Sequence, residues 1–384
     1  MKTAVLIAVG DELLSGIRRE GNCASLAWRL HDAGWKVRRA EVIPDDRSDI
    51  VEALKRWVGQ VDMLVLSGGL GPTHDDRTRG ALAEYLGCPL PVSEERNQQA
   101  VPAAAEGVLN PAGSALGIRF ERAGTKVWSF PGVPGEFEAM VRQEIVPLLQ
   151  SDRGWESVGI IGVRESLVAE RLADITADPD FHVSILPSFG LVEFVIRGEP
   201  RRVKEAACAV RERFGPDALP EGCVTLPQAI LKTGLEKNLT VSCAESCTGG
   251  LVGASLTGLP GISAVFTGSA VVYHNEAKKK VLSVPEFLLE RHGAVSGDCA
   301  EYMARGALEL YGTSVAVAIT GIAGPDGGSA EKPVGTVWFA LASRQNGVKQ
   351  CRSFLKQLSG GREAVRERAV GVALSEVWRR MCEL

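Results

Sequence analysis

A serine, a tyrosine and a lysine, each beside polar or glycine-rich turns, are the residues of this chain whose types and placement could do covalent chemistry. Ser246 stands in Ala244-Glu245-Ser246-Cys247-Thr248-Gly249-Gly250, between the apolar run 239–243 and the amphipathic run 251–256. Strand, polar turn and helix is the order in which backbone N–H groups at a helix N-terminus face an anion or a developing oxyanion. A hydroxyl at the mouth of such a turn is either a nucleophile or an ordinary N-cap, and the heptapeptide alone favours the cap. Two later segments share the pattern. Residues 267–273 read as a buried strand running into His274-Asn275-Glu276-Ala277-Lys278, which sets the Tyr273 phenol, the Asn275 amide and the Lys278 amine just past a strand end. Residues 315–319 run into Thr320-Gly321-Ile322-Ala323-Gly324-Pro325. Three such strand ends within about eighty residues make a ligand pocket the better reading.

An earlier set of turns points to a second site. The strand expected at 61–66 ends in a glycine-rich turn, where Gly68, Gly69 and Gly71 let backbone N–H groups approach a phosphate and Thr73 adds a hydroxyl. Asp75 and Asp76 follow directly and could hold a hard divalent cation through oxygen ligands. Asp11, at the end of the first strand, could bring another carboxylate to the same edge. Pro131-Gly132-Val133-Pro134-Gly135-Glu136 repeats the sequence of strand, rigid turn and acid, which adds Glu136 to the metal candidates. Capping the following helix is an equally good role for any one of these acids; their conjunction with the glycines favours a site.

The elements that must position these residues read as follows. Strands are expected at 3–9, 36–43, 61–66 and 127–130, with helices at 22–33, 50–58 and 78–86 between them. Alternation of this kind demands crossover connections and a mainly parallel sheet. From 154 to 216 the rhythm changes to α+β: a strand at 157–163, a helix at 165–175, a strand pair at 182–186 and 191–197, and a helix at 202–214. Residues 215–222, with two prolines and two glycines, read as a linker. The expected domains are therefore 1–151, 154–216 and 222–384.

A chain of 384 residues accommodates two or three domains of ordinary size. A net charge of −4 and a pI near 5.9 provide no global basic field for nucleic acid or an anionic membrane. Nine dispersed cysteines without paired spacing argue against a disulfide framework or a zinc site and fit a reducing cytoplasm. The short apolar run after Lys2 meets Asp11 and Glu12, so it reads as a first buried strand, not a leader. No stretch approaches the length of a membrane helix.

The motifs AESCTGG, VVYHNEAK, HGAVS, TGIAGPDGG and KPVGTVWFAL resemble, in order, the carboxy-terminal domain of the competence/damage-inducible CinA family, the nicotinamide mononucleotide deamidases, from about 222 to 384. GDELLSG, SGGLGPTHDD and FPGVPGE resemble the molybdopterin-binding-like domain at the amino terminus of the same family, for which metal-dependent ADP-ribose pyrophosphatase activity is the implied chemistry. The resemblance implies an α/β fold: a molybdopterin-binding-like parallel-sheet domain, a small α+β KH-like middle domain and an α/β deamidase domain. It also implies a homodimer acting on small nucleotides. The middle segment lacks the GXXG loop that RNA binding by a KH unit needs, and Arg201, Arg202, Lys204, Arg211 and Arg213 read as a solvated helix face.

On that resemblance Ser246 attacks the carboxamide carbon, with Lys278 and Tyr273 as the basic pair; Glu245 orients Lys278, binds ribose hydroxyls or caps the following helix. Both basic residues reach the turn only if the chain bends near Asn275. Cys247 is a rival nucleophile, whereas His274 and His292 read as structural. Thr248, Gly249, Gly250, Asn275, Thr320, Gly321, Gly324 and Arg362 are the expected contacts to the nucleotide, with Arg366 one turn further along. No cofactor is expected for the deamidase, and a divalent ion is expected for the amino-terminal site. Two other readings stand beside this one: a non-catalytic pterin- or nucleotide-binding first domain, and a competence-associated nucleic-acid partner, which the acidic pI disfavours.

Overall fold

Six of the seven residues of the first strand, β1 (Thr3–Val9), are buried, so the strand needs cover on both faces of its sheet. It receives that cover inside the first of two compact units, residues 1–153 and 154–384. The computed structural model describes residues 2–73, 76–91, 100–149, 154–188, 190–345 and 347–384.

In the first unit β1 is followed by α1 (Asp11–Leu14), α2 (Asn22–Asp32), β2 (Lys36–Ile43), α3 (Arg47–Trp57), β3 (Met63–Ser67) and α4 (Thr78–Leu86). Then come β4 (Glu106–Val108), β5 (Gly117–Arg122), β6 (Thr125–Phe130) and α5 (Pro134–Glu144). The sheet order is β2-β1-β3-β6-β5-β4. Its first four strands are parallel, and β5 and β4 add antiparallel at one edge. The chain moves from β1 outward to β2 and then back across to β3, so the connections diverge between β1 and β3. That divergence opens a crevice at the carboxyl ends of the strands. Separate apolar clusters fill the two faces, one around Leu26, Leu30 and Phe137, the other around Ile50, Leu54 and Leu82.

The second unit opens with β7 (Gly154–Ile161), α6 (Glu165–Arg171), α7 (Ala173–Thr176), β8 (His182–Ser188), β9 (Leu191–Gly198) and α8 (Pro200–Phe214). Its strands form an antiparallel sheet in the order β7-β9-β8 with its own core. The arginines of α8 are ion-paired: Arg201 with Glu205, Arg202 with Asp178 and Asp180, Arg211 with Glu156, and Arg213 with Asp174. A helix face neutralised in this way has little charge left for a phosphate backbone.

The rest of the unit comprises α9 (Leu226–Lys237), β10 (Val241–Glu245), α10 (Leu251–Thr257), β11 (Phe266–Val271), α11 (Asn275–Leu282), α12 (Glu286–His292), α13 (Gly297–Tyr311) and β12 (Val315–Gly321). It closes with β13 (Thr336–Gln345), β14 (Val348–Gln357) and α14 (Arg362–Glu383). The sheet order is β11-β10-β12-β13-β14, parallel through β11, β10 and β12 and antiparallel beyond. Helices α9 and α14 pack on one face and α13 on the other. Local chemistry explains several boundaries: α9 starts in a Thr225/Gln228 capping box and ends on left-handed Asn238, and α13 starts under the Ser296 hydroxyl and ends on left-handed Gly312.

In the first unit the turn after β3 tolerates no side chain at its first glycine. Gly68 has φ +115°, its N–H donates to the Phe130 carbonyl, and a Cβ there would lie 2.2 Å from the Val9 carbonyl oxygen. Gly68→Ala is therefore expected to destabilise the amino-terminal unit by more than about 1 kcal/mol. The readout is the urea midpoint; a midpoint equal to wild type would mean that β1 and β3 yield at this turn.

Candidate functional site

Register brings the chemical residues of the second unit together. Glu245, the last residue of β10, lies opposite Val271 of β11 and Ile319 of β12. The next residues, Ser246, Val272 and Thr320, thus stand at one level, the first two just past the ends of β10 and β11 and Thr320 still paired with β13. Ser246 N–H donates to the Ile319 carbonyl (3.0 Å) and Val272 N–H to the Glu245 carbonyl (2.8 Å), which fixes the exits to each other. Here too the connections diverge on either side of one strand pair, β10 and β12, and a crevice opens there.

A cavity of about 210 Å³ fills the crevice, lined among others by Ser246, Cys247, Tyr273, Asn275, Lys278 and Arg362. Lys278 Nζ stands 3.1 Å from Ser246 Oγ. The same amine donates to the Val272 carbonyl (2.9 Å) and the Tyr273 carbonyl (3.0 Å). Lys278 is 1% exposed, and no carboxylate pairs with it among the described residues. Burial pushes its pKa below the usual 10.5, with the Cys299 and Cys247 thiols acting weakly the other way. A neutral amine has two N–H donors and one lone pair. With two carbonyls taking the donors, the lone pair is left facing the serine hydroxyl.

The bend that Lys278 requires is a helix start. Tyr273 lies beyond the end of β11, His274 caps α11 by accepting from Glu276 N–H (3.2 Å), and Lys278 projects from the first turn of that helix. His274 is thus structural, and His292, the last residue of α12, pairs with Asp298.

The structure selects the capping alternative for Glu245 and changes the role of the Tyr273 phenol. Glu245 is fully buried and neither orients Lys278 nor faces a ribose. Its carboxylate accepts from the N–H groups of Gly250 (3.0 Å), Val252 (3.0 Å) and Gly253 (2.9 Å) and from the Ser269 hydroxyl (2.7 Å). It is a cap on α10 set from the preceding strand, and through α10 it holds the Ser246 turn. Tyr273 gives Lys278 only its carbonyl; its phenol oxygen accepts from Arg362 (3.1 Å), so the phenol is not the second half of the base.

The remaining expected contacts divide. Asn275, Thr320 and Gly321 line the cavity, but the Thr320 hydroxyl donates to the Ala294 carbonyl (2.7 Å). Arg362 reaches the cavity and donates to the Gly324 carbonyl (2.7 Å), which ties the loop after β12 to α14. Arg366 donates to the Thr248 carbonyl (2.9 Å), behind the turn, while Thr248 Oγ1 is buried without a partner. Gly249 and Gly250 adopt positive φ and shape the turn into α10. Cys247 is buried and its thiol is pushed up to about 11, chiefly by burial, so little thiolate exists near neutrality. Cys243 lies in the core, its thiol raised further by burial. Ala294, Val295 and Ala323 complete the lining; only their place in glycine-bearing turns could have suggested them from sequence.

In the first unit a cavity of about 400 Å³ sits at the carboxyl ends of β1, β3 and β6, lined by Gly68, Gly69, Gly71, Asp76 and Glu136, and also by Arg18, Arg19 and Asn22, which the sequence reading passed over. Thr73 is not in the lining; its N–H and hydroxyl bond to Asp76. The expected metal cradle does not assemble from the described residues, none of which form a group of three His, Cys, Asp or Glu able to hold an ion. Asp76 also accepts from Gly71 N–H (2.8 Å) and so closes its own turn. Glu136 accepts from Asn110 (2.6 Å), Asp11 does not line the cavity, and Asp75 lies outside the described residues.

Residues 224–381 match the family described as CinA C-terminal domain, and residues 5–151 match the family described as probable molybdopterin binding domain. The chain is 35% identical to a CinA-like protein of Geobacter metallireducens, over 99% of both chains. It is 36% identical to a CinA-like protein of Geobacter sulfurreducens, again over 99% of both. Among solved structures it is similar to a CinA superfamily protein from Klebsiella pneumoniae, at 34% identity and a TM-score of 0.39, covering 41% of this chain and 97% of that one.

Glu245→Ala would strand three helix N–H groups and a hydroxyl, at an expected cost of about 1–3 kcal/mol in unfolding free energy. Glu245→Gln, which keeps one carbonyl acceptor, is expected to cost less. Chemical unfolding of both variants decides the matter, and equal losses would rule out the capping role.

Proposed function

The chain belongs to the CinA family, and from that premise we propose that its carboxy-terminal site hydrolyses the carboxamide of nicotinamide mononucleotide, giving nicotinate mononucleotide and ammonia. The observation that carries this reading is the 3.1 Å approach of a buried, cation-disfavouring Lys278 amine to Ser246 Oγ. Neutral Lys278 accepts the Ser246 proton as the oxygen attacks the carboxamide carbon, and the carbonyl becomes a tetrahedral oxyanion. Main-chain N–H groups of Cys247 and Thr248, which donate to no backbone carbonyl among the described residues, are the donors assigned to that oxyanion. Collapse of the intermediate breaks the C–N bond, and Lys278 returns its proton to the departing ammonia. Water, deprotonated by the same amine, then cleaves the seryl ester and restores the hydroxyl. Arg362, held by Tyr273 and Gly324, is suited to the phosphate of the nucleotide, because a planar guanidinium bonds two oxygens at once.

Ser246→Ala is expected to abolish ammonia release from nicotinamide mononucleotide, and Cys247→Ala to leave most of it. The opposite pattern in an ammonia-coupled assay would move the nucleophile to the thiol. The rate should also climb with pH toward an apparent pKa below 10.5, as the neutral amine becomes populated. In the same window the unfolded chain holds the Lys278 proton more tightly than the folded one, so stability should increase with pH, the reverse of a lysine held in an ion pair. A pH–rate profile without that limb would remove Lys278 from the role of base.

For the amino-terminal unit the reading is hydrolysis of ADP-ribose to AMP and ribose 5-phosphate. It is supported by the position of the 400 Å³ cavity where the connections diverge and by the turn at Gly68 and Gly69. No step is assigned to a metal: the Asp76 and Glu136 carboxylates are bonded to neighbouring groups, and no group of three His, Cys, Asp or Glu among the described residues could hold an ion. That same observation favours a second reading, a nucleotide- or pterin-binding module without catalysis. AMP release from ADP-ribose, measured with and without magnesium on wild type and on Asp76→Ala, separates the two. The first reading expects magnesium-dependent turnover that falls at least about tenfold in the variant; absence of turnover in every sample leaves a binding module.

A further inference from the structure

The larger cavity contains two cations to which no role has yet been given. Arg18 and Arg19 follow each other in the connection between α1 and α2, and both line the cavity at the carboxyl ends of β1 and β3. Both side chains are exposed, and among the described residues no carboxylate pairs with either guanidinium.

That is unusual company for a free cation, because the lining is rich in acid. Glu20 accepts from Cys23 N–H (2.6 Å) and Ala24 N–H (3.4 Å) at the start of α2. Asp45 accepts from Asp11 N–H (2.9 Å), Asp76 closes the Gly71 turn, and Glu136 holds Asn110. Backbone and side-chain donors therefore occupy Glu20, Asp45, Asp76 and Glu136; the exposed Glu12 carboxylate has no such donor among the described residues, but it forms no ion pair with either guanidinium, whose donors remain open. The connection that carries the arginines is tied at both ends, by Arg18 N–H on the Glu12 carbonyl (3.0 Å) and by Glu20 on α2. Gly68, Gly69 and Gly132 also line the cavity, and they are glycines because the backbone packs tightly there: a Cβ would lie 2.2 Å from the Val9 carbonyl oxygen, 2.2 Å from Thr78 Oγ1 and 3.4 Å from Gly68 Cα, respectively. The cavity thus has backbone from three glycine-bearing turns, two adjacent forked donors, and about 400 Å³ of space.

We infer that Arg18 and Arg19 form a metal-independent clamp for a diphosphate, the charged centre of a nucleoside diphosphate or its sugar ester. Two guanidinia on consecutive residues suit two linked phosphate groups, each of which accepts a pair of N–H donors. The inference takes only the location of the site from the nucleotide reading above.

The test is calorimetric titration of the full chain in EDTA with inorganic pyrophosphate, ADP-ribose and free ribose. Pyrophosphate and ADP-ribose are expected to bind and ribose is not. The double variant Arg18→Gln/Arg19→Gln should weaken pyrophosphate at least about tenfold, and added salt should weaken wild type more than the variant. Arg18→Lys/Arg19→Lys, which keeps charge but loses the fork, should fall between. Circular dichroism of each variant establishes that it is folded. Pyrophosphate affinity equal to wild type in the folded Gln variant overturns the clamp, as does a wild type that binds pyrophosphate only with added metal. An Arg-dependent pyrophosphate site without ADP-ribose turnover would leave the clamp standing and remove the hydrolase reading. Turnover of ADP-ribose with unchanged affinity in the variant would do the reverse.

Discussion

The structure of the second unit depends on the parallel register of β10 between β11 and β12. β10 and β11 end at one level beside Ile319 of β12, and two backbone hydrogen bonds lock the three strands together there, from Ser246 to Ile319 and from Val272 to Glu245. Everything chemical follows from that level edge. Ser246 leaves one strand, the carbonyls that hold Lys278 leave the second, and Thr320 and Gly321 are the last residues of the third. A register slip of one residue would turn Ser246 away from the lysine, because side chains alternate faces along a strand.

Two buried ionisable groups of opposite kind, Glu245 and Lys278, are kept apart at this edge, and the separation matters. Glu245 lies on the α10 side with four donors and no cation. Lys278 lies on the α11 side with two carbonyls and no carboxylate. Had they paired, the ammonium would be stabilised and the amine would lose its use as a base. The carboxylate is instead satisfied by the N–H groups of a helix start, where negative charge is favourable, and the lysine bears the cost of burial alone. Burial acts on Cys247 in the same direction, by disfavouring its charged form, and so leaves the neighbouring hydroxyl as the better-placed nucleophile.

The first unit uses the same topological constraint for another purpose. Its parallel strands also diverge next to the first one, and its cavity also lies at their carboxyl ends. The groups at the edge differ: glycines without side chains and acids engaged by N–H donors replace the hydroxyl and the amine. A crevice made by strand order is indifferent to chemistry, and the residues in the turns decide what it can do.

Much was legible in the sequence because it was local. Continuous apolar runs gave β1, β3, β10 and β12, and strand-turn-helix punctuation marked Ser246 and Gly68 as positions at sheet edges. Family motifs added order and linked Lys278 to Ser246. Other features had no local signature. The capping role of Glu245 depends on donors five to eight residues ahead and on Ser269 of a neighbouring strand, so an acid beside a catalytic serine reads equally well as a catalyst. Thr73 and Asp76 look like ligands for a phosphate and a metal until the turn folds them onto each other. Arg18 and Arg19 look like ordinary surface charge until α1 and α2 bring their connection to the mouth of a cavity. Composition and spacing by themselves determined which elements form and which turns carry reactive groups. Only the tertiary structure decided which of those groups are already bonded to the protein and which are left facing a ligand, because that depends on partners brought close by packing, far apart along the chain.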